Sequence, residues 1–304
     1  MPFSRRDMIK VAHYYYSFGY NQQQVADKFG MSRQRVNRLL KQALAEGIVE
    51  IKVRDLSNAK LESELEVKFG LKEAVVVDNS DISSACIKYL KSVVQEGWKI
   101  GVASSTTIAK ILRDTPASGE KHDIKVIQIM GGMNTNNISL RPDMNTVKLA
   151  NIFGGEAYVL FAPAIVDNPG FAKLVKEESQ VSDIYAMYSS LNIALVTVGA
   201  LQEDNLLVEA GYLKMPDFYM LRDKQGVGDV VMRFFNMEGD IVDEQFDARV
   251  MSIPVADFKK IGLRVGVAYG EYKVRPIVGA LNGNFINVLI TDTATAGLLL
   301  EYEQ

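Results

Sequence analysis

Apolar positions along the first fifty residues recur at helical spacing. Met8, Val11, Ala12 and Tyr15 fall at i, i+3, i+4 and i+7, which predicts a helix from about Arg5 to Phe18, ended by Gly19. Asn21 followed by Gln24 is a capping-box pattern and opens a second helix, with Val25, Ala26 and Phe29 on its buried face. Gly30-Met31-Ser32 reads as a tight turn: a glycine suited to positive φ, then a serine suited to cap the next helix. The third helix runs from about Arg33 to Glu46, with Val36, Leu39, Leu40 and Ala43 as its stripe, and stops at Gly47. Ile48 to Val53 then alternates like a short strand or wing. A helix, a short turn and a helix, with one more in front, is the helix-turn-helix layout.

The segment 56–70, LSNAKLESELEVKFG, carries Leu61, Leu65 and Phe69 at four-residue steps, with Asn58 placed to cap it. It is expected to be a linker helix whose apolar stripe packs either on the following domain or on a second subunit. From Lys72 the pattern changes. Short β-branched runs at 73–78, 99–103, 125–130, 156–162, 192–199, 264–268 and 287–291 read as strands. Helices are expected over 82–95, from Ser104–Thr107 to about Arg113, and over 142–153, 227–234, 273–281 and 293–302. Strands alternating with helices predict an α/β domain with a mainly parallel, Rossmann-like sheet. The expected organisation is a small all-α head, 1–55, and an α/β domain, 56–304, opening with the linker helix.

Charge sharpens this division. Residues 1–55 hold ten Lys and Arg against five Asp and Glu, a net +5, which leaves −8 on the rest of a chain whose total is −3. A basic head on an acidic body points to a polyanion as the head's partner. The apolar fraction of 48% and charged fraction of 23% are those of a globular protein and exclude extensive disorder. A single cysteine, Cys86, excludes a disulfide framework, and two histidines, His13 and His122, argue against a metal centre, so no cofactor is expected. No run is long and apolar enough to span a bilayer and the N-terminal residues lack a signal-peptide pattern, so a cytoplasmic location is expected.

The outer face of the third helix carries the most specific chemistry in the head. Arg33, Gln34, Asn37, Arg38 and Lys41 form one contiguous polar row of hydrogen-bond donors with no acid. Arg matches guanine edges, and Asn or Gln matches adenine edges. Residues early in a recognition helix reach bases and later ones reach backbone, so Arg33, Gln34, Asn37 and Arg38 are assigned to bases and Lys41 to phosphate. The alternative is a solvated basic face on a small helical domain. Tyr14, Tyr15 and Tyr16 point about 100° apart on a helix, so core packing for Tyr15 and a groove-rim phosphate contact for another are expected.

In parallel sheets ligands bind beyond the carboxyl ends of the strands. Ser104, Ser105, Thr106 and Thr107 lie there between a strand and a helix, either as an anion cradle or as simple caps. Gly131-Gly132 permits close backbone approach or a tight turn, and Gly226-Val227-Gly228-Asp229 is read as another helix opening. Lys273, after the strand RVGVA, either pairs with a phosphate or sugar hydroxyl or is a solvated surface lysine.

At this level the chain resembles the SorC family of bacterial sugar-responsive transcription regulators. The resemblance rests on YNQQQVADKFGMSRQRVNRLLKQALAEGIVEIKV (20–53), LEVKFGLKEAVVV (65–77), IGVASSTT (100–107), GGMN (131–134) and LFAPAIVDNPG (160–170). It is strongest in GVGDVVMRFFNMEGDIVDEQFDARV (226–250) and RVGVAYGEYKVRPIVGALNGNFINVLITDTATAGLLLE (264–301). It implies an effector domain like the sugar-phosphate isomerase and deaminase fold, used for sensing. It also implies a sugar, polyol or sugar-phosphate effector and homo-tetramers or homo-dimers on double-stranded operator DNA. By position it assigns Ser104 to Thr107 to a phosphate loop, Gly132, Arg141 and Asn145 to the ligand, Asp229 and Asp247 to hydroxyls, and Lys273 to closing the pocket. The chain departs from the family pattern at Ala103-Ser104-Ser105, where many members carry a Gly-rich or Trp-containing loop. It departs again at Tyr269-Gly270, where many carry two glycines.

A sugar-phosphate isomerase or deaminase is the rival reading. It needs a general base at the substrate, and neither His13 nor His122 sits at a predicted strand end. Asp229, Asp247 and Glu271 remain as candidate bases. A DNA-binding architectural protein with an inert body is the third reading, and it leaves Lys273 and the strand-end hydroxyls without a purpose.

Overall fold

Each helix of the first unit starts where a polar side chain satisfies its free amides. In α1 (Arg5–Ala12), Ser4 and Asp7 cap reciprocally. The helix does not stay regular to Phe18. It widens into a π-helical turn over His13–Ser17, which leaves Tyr14 edge-on to Phe18, Tyr20 and Phe29. Asn21 and Gln24 form the capping box of α2 (Gln22–Phe29), Gly30 takes a φ of 62°, and Ser32 accepts the Arg35 N–H to open α3 (Arg33–Ala45). Met8, Val11, Val25, Ala26, Val36, Leu39 and Leu40 bury together, with Tyr14, Tyr15, Phe29 and Ile48 packed around them. The computed structural model describes residues 4–50, 58–113, 115–132, 141–202, 206–209 and 211–303. Residues 51–53 of the expected wing, the 55/56 boundary and 133–134 of GGMN lie outside the described residues. The chain divides into two units, 1–56 and 57–304.

In chain order the second unit runs α4 (Ala59–Phe69), β1 (Glu73–Val77), α5 (Ile82–Val93), β2 (Lys99–Val102), α6 (Thr106–Arg113), β3 (Lys125–Gln128), α7 (Pro142–Phe153) and β4 (Glu156–Tyr158). There follow α8 (Pro169–Glu177), α9 (Ser179–Tyr188), β5 (Ile193–Thr197), β6 (Gly199–Ala200), α10 (Leu206–Glu209), α11 (Met215–Asp223), β7 (Gly228–Val230) and β8 (Arg233–Phe235). It closes with α12 (Glu244–Asp247), α13 (Val255–Phe258), β9 (Leu263–Val267), α14 (Val274–Asn282), β10 (Val288–Asp292) and α15 (Thr293–Glu301). Seven strands form one wholly parallel sheet in the order β1-β10-β9-β5-β2-β3-β4. Its central strands are buried on both faces, which is why they read as continuous apolar runs. After β2 the chain adds β3 and β4 to one side. It then returns to place β5 on the other side of β2, so the winding reverses between β2 and β5.

The linker-helix stripe belongs to this unit. Leu65 is fully buried in the main core, with Leu61 and Phe69 packed against it. The same helix covers the free edge of β1: Glu66 accepts the Ala74 N–H and Glu62 the Val76 N–H, both at 2.9 Å. Carboxylates on the unpaired amides of an edge strand block its pairing with another chain. Asn58 does not cap the helix, and its amide donates to the Val76 carbonyl instead.

Two further expectations are corrected. Residues 227–234 are no helix. They form most of the hairpin β7–β8, which joins β6 in a small antiparallel sheet. A Cβ on Gly228 would lie 2.4 Å from the Gly199 carbonyl, and one on Gly199 would lie 2.0 Å from Asp229 Oδ1, so β6 and β7 approach this closely only as glycines. The run 156–162 is a strand only to Tyr158, after which Gly132 bridges Pro163. Helices α8 to α13 fall where the sequence reading places none.

Candidate functional site

On α3 the buried stripe and the polar row separate as the periodicity requires. Val36, Leu39, Leu40 and Ala43 are buried, while Arg33, Gln34, Asn37, Arg38 and Lys41 are all exposed. The helix therefore presents three cations and two amides to solvent along one side, following a three-residue turn from α2.

The second unit carries a cavity of about 640 Å³ at the point where the sheet's winding reverses. Its floor comes from the carboxyl ends of the two strands flanking that point: Ala103 to Thr107 after β2, and Thr197 to Ala200 at the end of β5. Ligands of open α/β sheets bind at such a switch point, because the loops there diverge to opposite faces and leave a crevice. Met130, Tyr272 and Lys273 close it from the neighbouring strands, and Asp229, Val231 and Met232 from the small sheet.

Ser105 caps α6 by accepting the Ile108 N–H at 3.0 Å. The Thr106 and Thr107 amides belong to the first turn, which has no carbonyl one turn earlier to accept them. Ser104 donates its N–H to Met130 Sδ, and its hydroxyl accepts from the buried Asn145 amide at 3.1 Å. Asn145 thus stands behind the loop and steadies it, with Ser104 between it and the cavity.

Asp229 is buried, with Oδ2 accepting the Met232 N–H at 3.1 Å. Burial pushes its carboxyl up to about 6, against the opposing pull of the Met232 amide and Lys273. Burial likewise holds the Lys273 ammonium below its usual value, with Asp229 pulling the other way. The cavity therefore has a hydroxyl and amide edge at α6, a carboxyl and an ammonium facing each other's field, and an apolar wall from Met130, Val198, Leu207, Val231 and Met232.

Of the residues singled out in the sequence, Ser104, Ser105, Thr106, Thr107, Asp229 and Lys273 come together on this lining. Gly132, Arg141, Asn145 and Asp247 do not line it. Gly132 is tied to Ala162 and Ala164 by backbone bonds. Arg141 is exposed and forks onto Asp143. Asp247 pairs with the buried Arg233 guanidinium at 2.8 Å. Glu271 is exposed and off the lining, and His122 pairs with Glu96 at 3.3 Å. Tyr269 packs against the core, and it is Tyr272 that reaches the cavity. Gln202, Glu209, Val231 and Met232 were missed. The only local trace of the last two is the pair of valines after Asp229, which read equally well as helix.

Residues 54–301 match the protein family described as "Putative sugar-binding domain". A deoxyribonucleoside regulator of Bacillus subtilis (strain 168) is 32% identical over 303 residues, covering 96% of each chain. The sorbitol operon regulator of Klebsiella pneumoniae is 28% identical over 309 residues, 97% of this chain and 98% of that one. The crystal structure of that full-length regulator, SorC, superposes with a TM-score of 0.78 over 97% of this chain and 98% of the other. With matches of this length running through both units, the chain belongs to the SorC family of sugar-binding transcriptional regulators.

Proposed function

We propose that the cavity at the β2/β5 switch point is the effector site and that α3 reads duplex operator DNA. One observation carries the first half: hydroxyls and first-turn amides at α6, a buried carboxyl and a half-buried ammonium converge where the winding of the sheet reverses and opens a crevice. The α6 edge with Lys273 suits an anionic or polyhydroxyl head, and Asp229 and Glu209 suit sugar hydroxyls. The effector is a sugar, a polyol or a sugar phosphate. The exposed row on α3 supports the second half, with Arg33, Gln34, Asn37 and Arg38 at base edges and Lys41 at phosphate. Recognition helices of a homo-dimer or homo-tetramer would then occupy successive major grooves of a palindromic site. The effector shifts DNA affinity by its preference for one subunit arrangement, typically ~1–3 kcal/mol of coupling.

The test is thermal unfolding of the full chain against free polyols and sugar phosphates. A ligand at a hundred times its Kd stabilises by about 2.7 kcal/mol, a shift of several degrees. No shift from any member would overturn the effector assignment. Catalysis is a second reading, favoured by Asp229, whose carboxyl near 6 beside an ammonium suits a general base. The regulators named above argue for sensing without turnover. Product formation from a sugar phosphate that also shifts the melting temperature would decide for the enzyme.

A further inference from the structure

The β7–β8 hairpin turns through Val231 and Met232, and both have positive φ, 50° and 65°. A two-residue hairpin with both central residues left-handed has the φ pattern of a type I′ turn, which strongly prefers Asn-Gly, Asp-Gly or Gly-Gly. A β-branched residue there is an outlier, because its Cβ crowds the following carbonyl. Strain of this kind persists only where surrounding contacts over-determine it, and it clusters at ligand clamps. Here the turn is pinned on both sides. Asp229 Oδ2 holds the Met232 N–H, and the Arg233 guanidinium donates to the carbonyls of Asp247, Ser252 and Ile253 at 2.9 to 3.1 Å. Arg233 also pairs with the Asp247 carboxylate. Both turn residues are almost fully buried, and both line the cavity.

We propose that the Val231-Met232 turn is the specificity element of this pocket, a preloaded apolar wall that reads the carbon face of the ligand body, with Arg233 as its positioning residue. The proposal rests on the effector reading above and deepens it. The polar edge at α6 and Lys273 takes the ligand's head whatever its body, whereas the turn selects among bodies by how much C–H surface they present. A residue pair that relaxed the backbone and removed the apolar wall would remove that selection.

The experiment replaces the turn by its unstrained pair, Val231→Asn with Met232→Gly, and separately makes Arg233→Lys. Apo melting temperature is measured for each. Affinities for inorganic phosphate, ribose 5-phosphate, 2-deoxyribose 5-phosphate and sorbitol 6-phosphate are then measured by calorimetry. The double variant is expected to melt lower without ligand, because losing two buried apolar side chains outweighs the strain relieved. Its best sugar phosphate should bind roughly tenfold more weakly, the spread among the three should narrow, and phosphate affinity should stay unchanged. Arg233→Lys, which keeps the charge and loses the fork, should narrow the spread in the same way. An unchanged order and spread of affinities in both variants overturns the specificity role. A wild-type protein that binds none of the four overturns the effector reading and this proposal with it.

Discussion

Asp229 offers a prediction whose size and sign both come from its surroundings. Its carboxyl rises from 3.8 to about 6 because burial penalises the ionised form more than the Met232 amide and Lys273 reward it. A raised acid pKa means the folded state binds the proton more tightly than the unfolded chain. The associated stability is fully present below about pH 4 and is lost as pH rises through about 6. At 1.36 kcal/mol per unit, the loss approaches roughly 3 kcal/mol at pH 7.5. Asp229→Asn removes the titration and keeps a side-chain oxygen that can accept the Met232 N–H. The difference in melting temperature, variant minus wild type, should therefore grow by ~5–10 °C between pH 4 and pH 7.5. The assay is thermal unfolding of both proteins at half-unit pH steps without ligand. A difference that stays flat across pH 4–8, or that shrinks as pH rises, would refute the burial argument. The same variant should bind sugar ligands more weakly by ~1.5–3 kcal/mol, the range of a charge-assisted hydrogen bond. The carboxyl would then be kept for binding at a cost in stability.

Asn37→Ala or Arg38→Ala should weaken a cognate operator by ~1–3 kcal/mol and random DNA far less, in fluorescence anisotropy at fixed salt; equal losses on both would remove them from base contact. Lys41→Ala should weaken all duplexes alike and lower the slope of log K against log salt by about 1, and an unchanged slope would remove it from the phosphates. Lys273→Ala should abolish the effector response while operator binding persists, and an unaltered dose–response curve would take Lys273 out of the pocket. Leu65→Ala, which empties a fully buried site under the edge-covering helix, should cost ~2–5 kcal/mol in chemical denaturation, whereas a change below about 1 would contradict the packing of α4 on the sheet.

Legibility followed the range of the interactions involved. In the head, the caps at Asn21 and Ser32, the turn at Gly30 and the stripe on α3 are all decided within four residues. Periodicity and side-chain chemistry therefore suffice to draw them, and the exposed row from Arg33 to Lys41 comes as the complement of the buried stripe. The β-branched runs that became β2, β5, β9 and β10 were equally plain, because a strand buried on both faces must be apolar throughout, and the alternating run of β1 was plain as an edge strand. The hydroxyl loop 104–107 and Lys273 stood out by position, each following such a run.

The hairpin at 228–235 was misread for a physical reason. Its turn carries valine and methionine where local rules demand glycine or asparagine, and only Asp229, Arg233 and the packed glycines around it hold that backbone. The family resemblance put Asp247 on ligand hydroxyls, whereas Arg233, fourteen residues earlier, claims it. Helical and strand character in this chain was thus written locally, by spacing and caps. The pocket was not, since it exists only where β2 and β5 are brought side by side. Which carboxylate faces a ligand and which an arginine, and which carboxylates cover the amides of the sheet edge, follow from contacts beyond the reach of a cap or a helical stripe, the Glu66–Ala74, Glu62–Val76 and Arg233–Asp247 pairs among them. Spacing and caps within four residues do not say which of these groups meet, so the tertiary fold decides them.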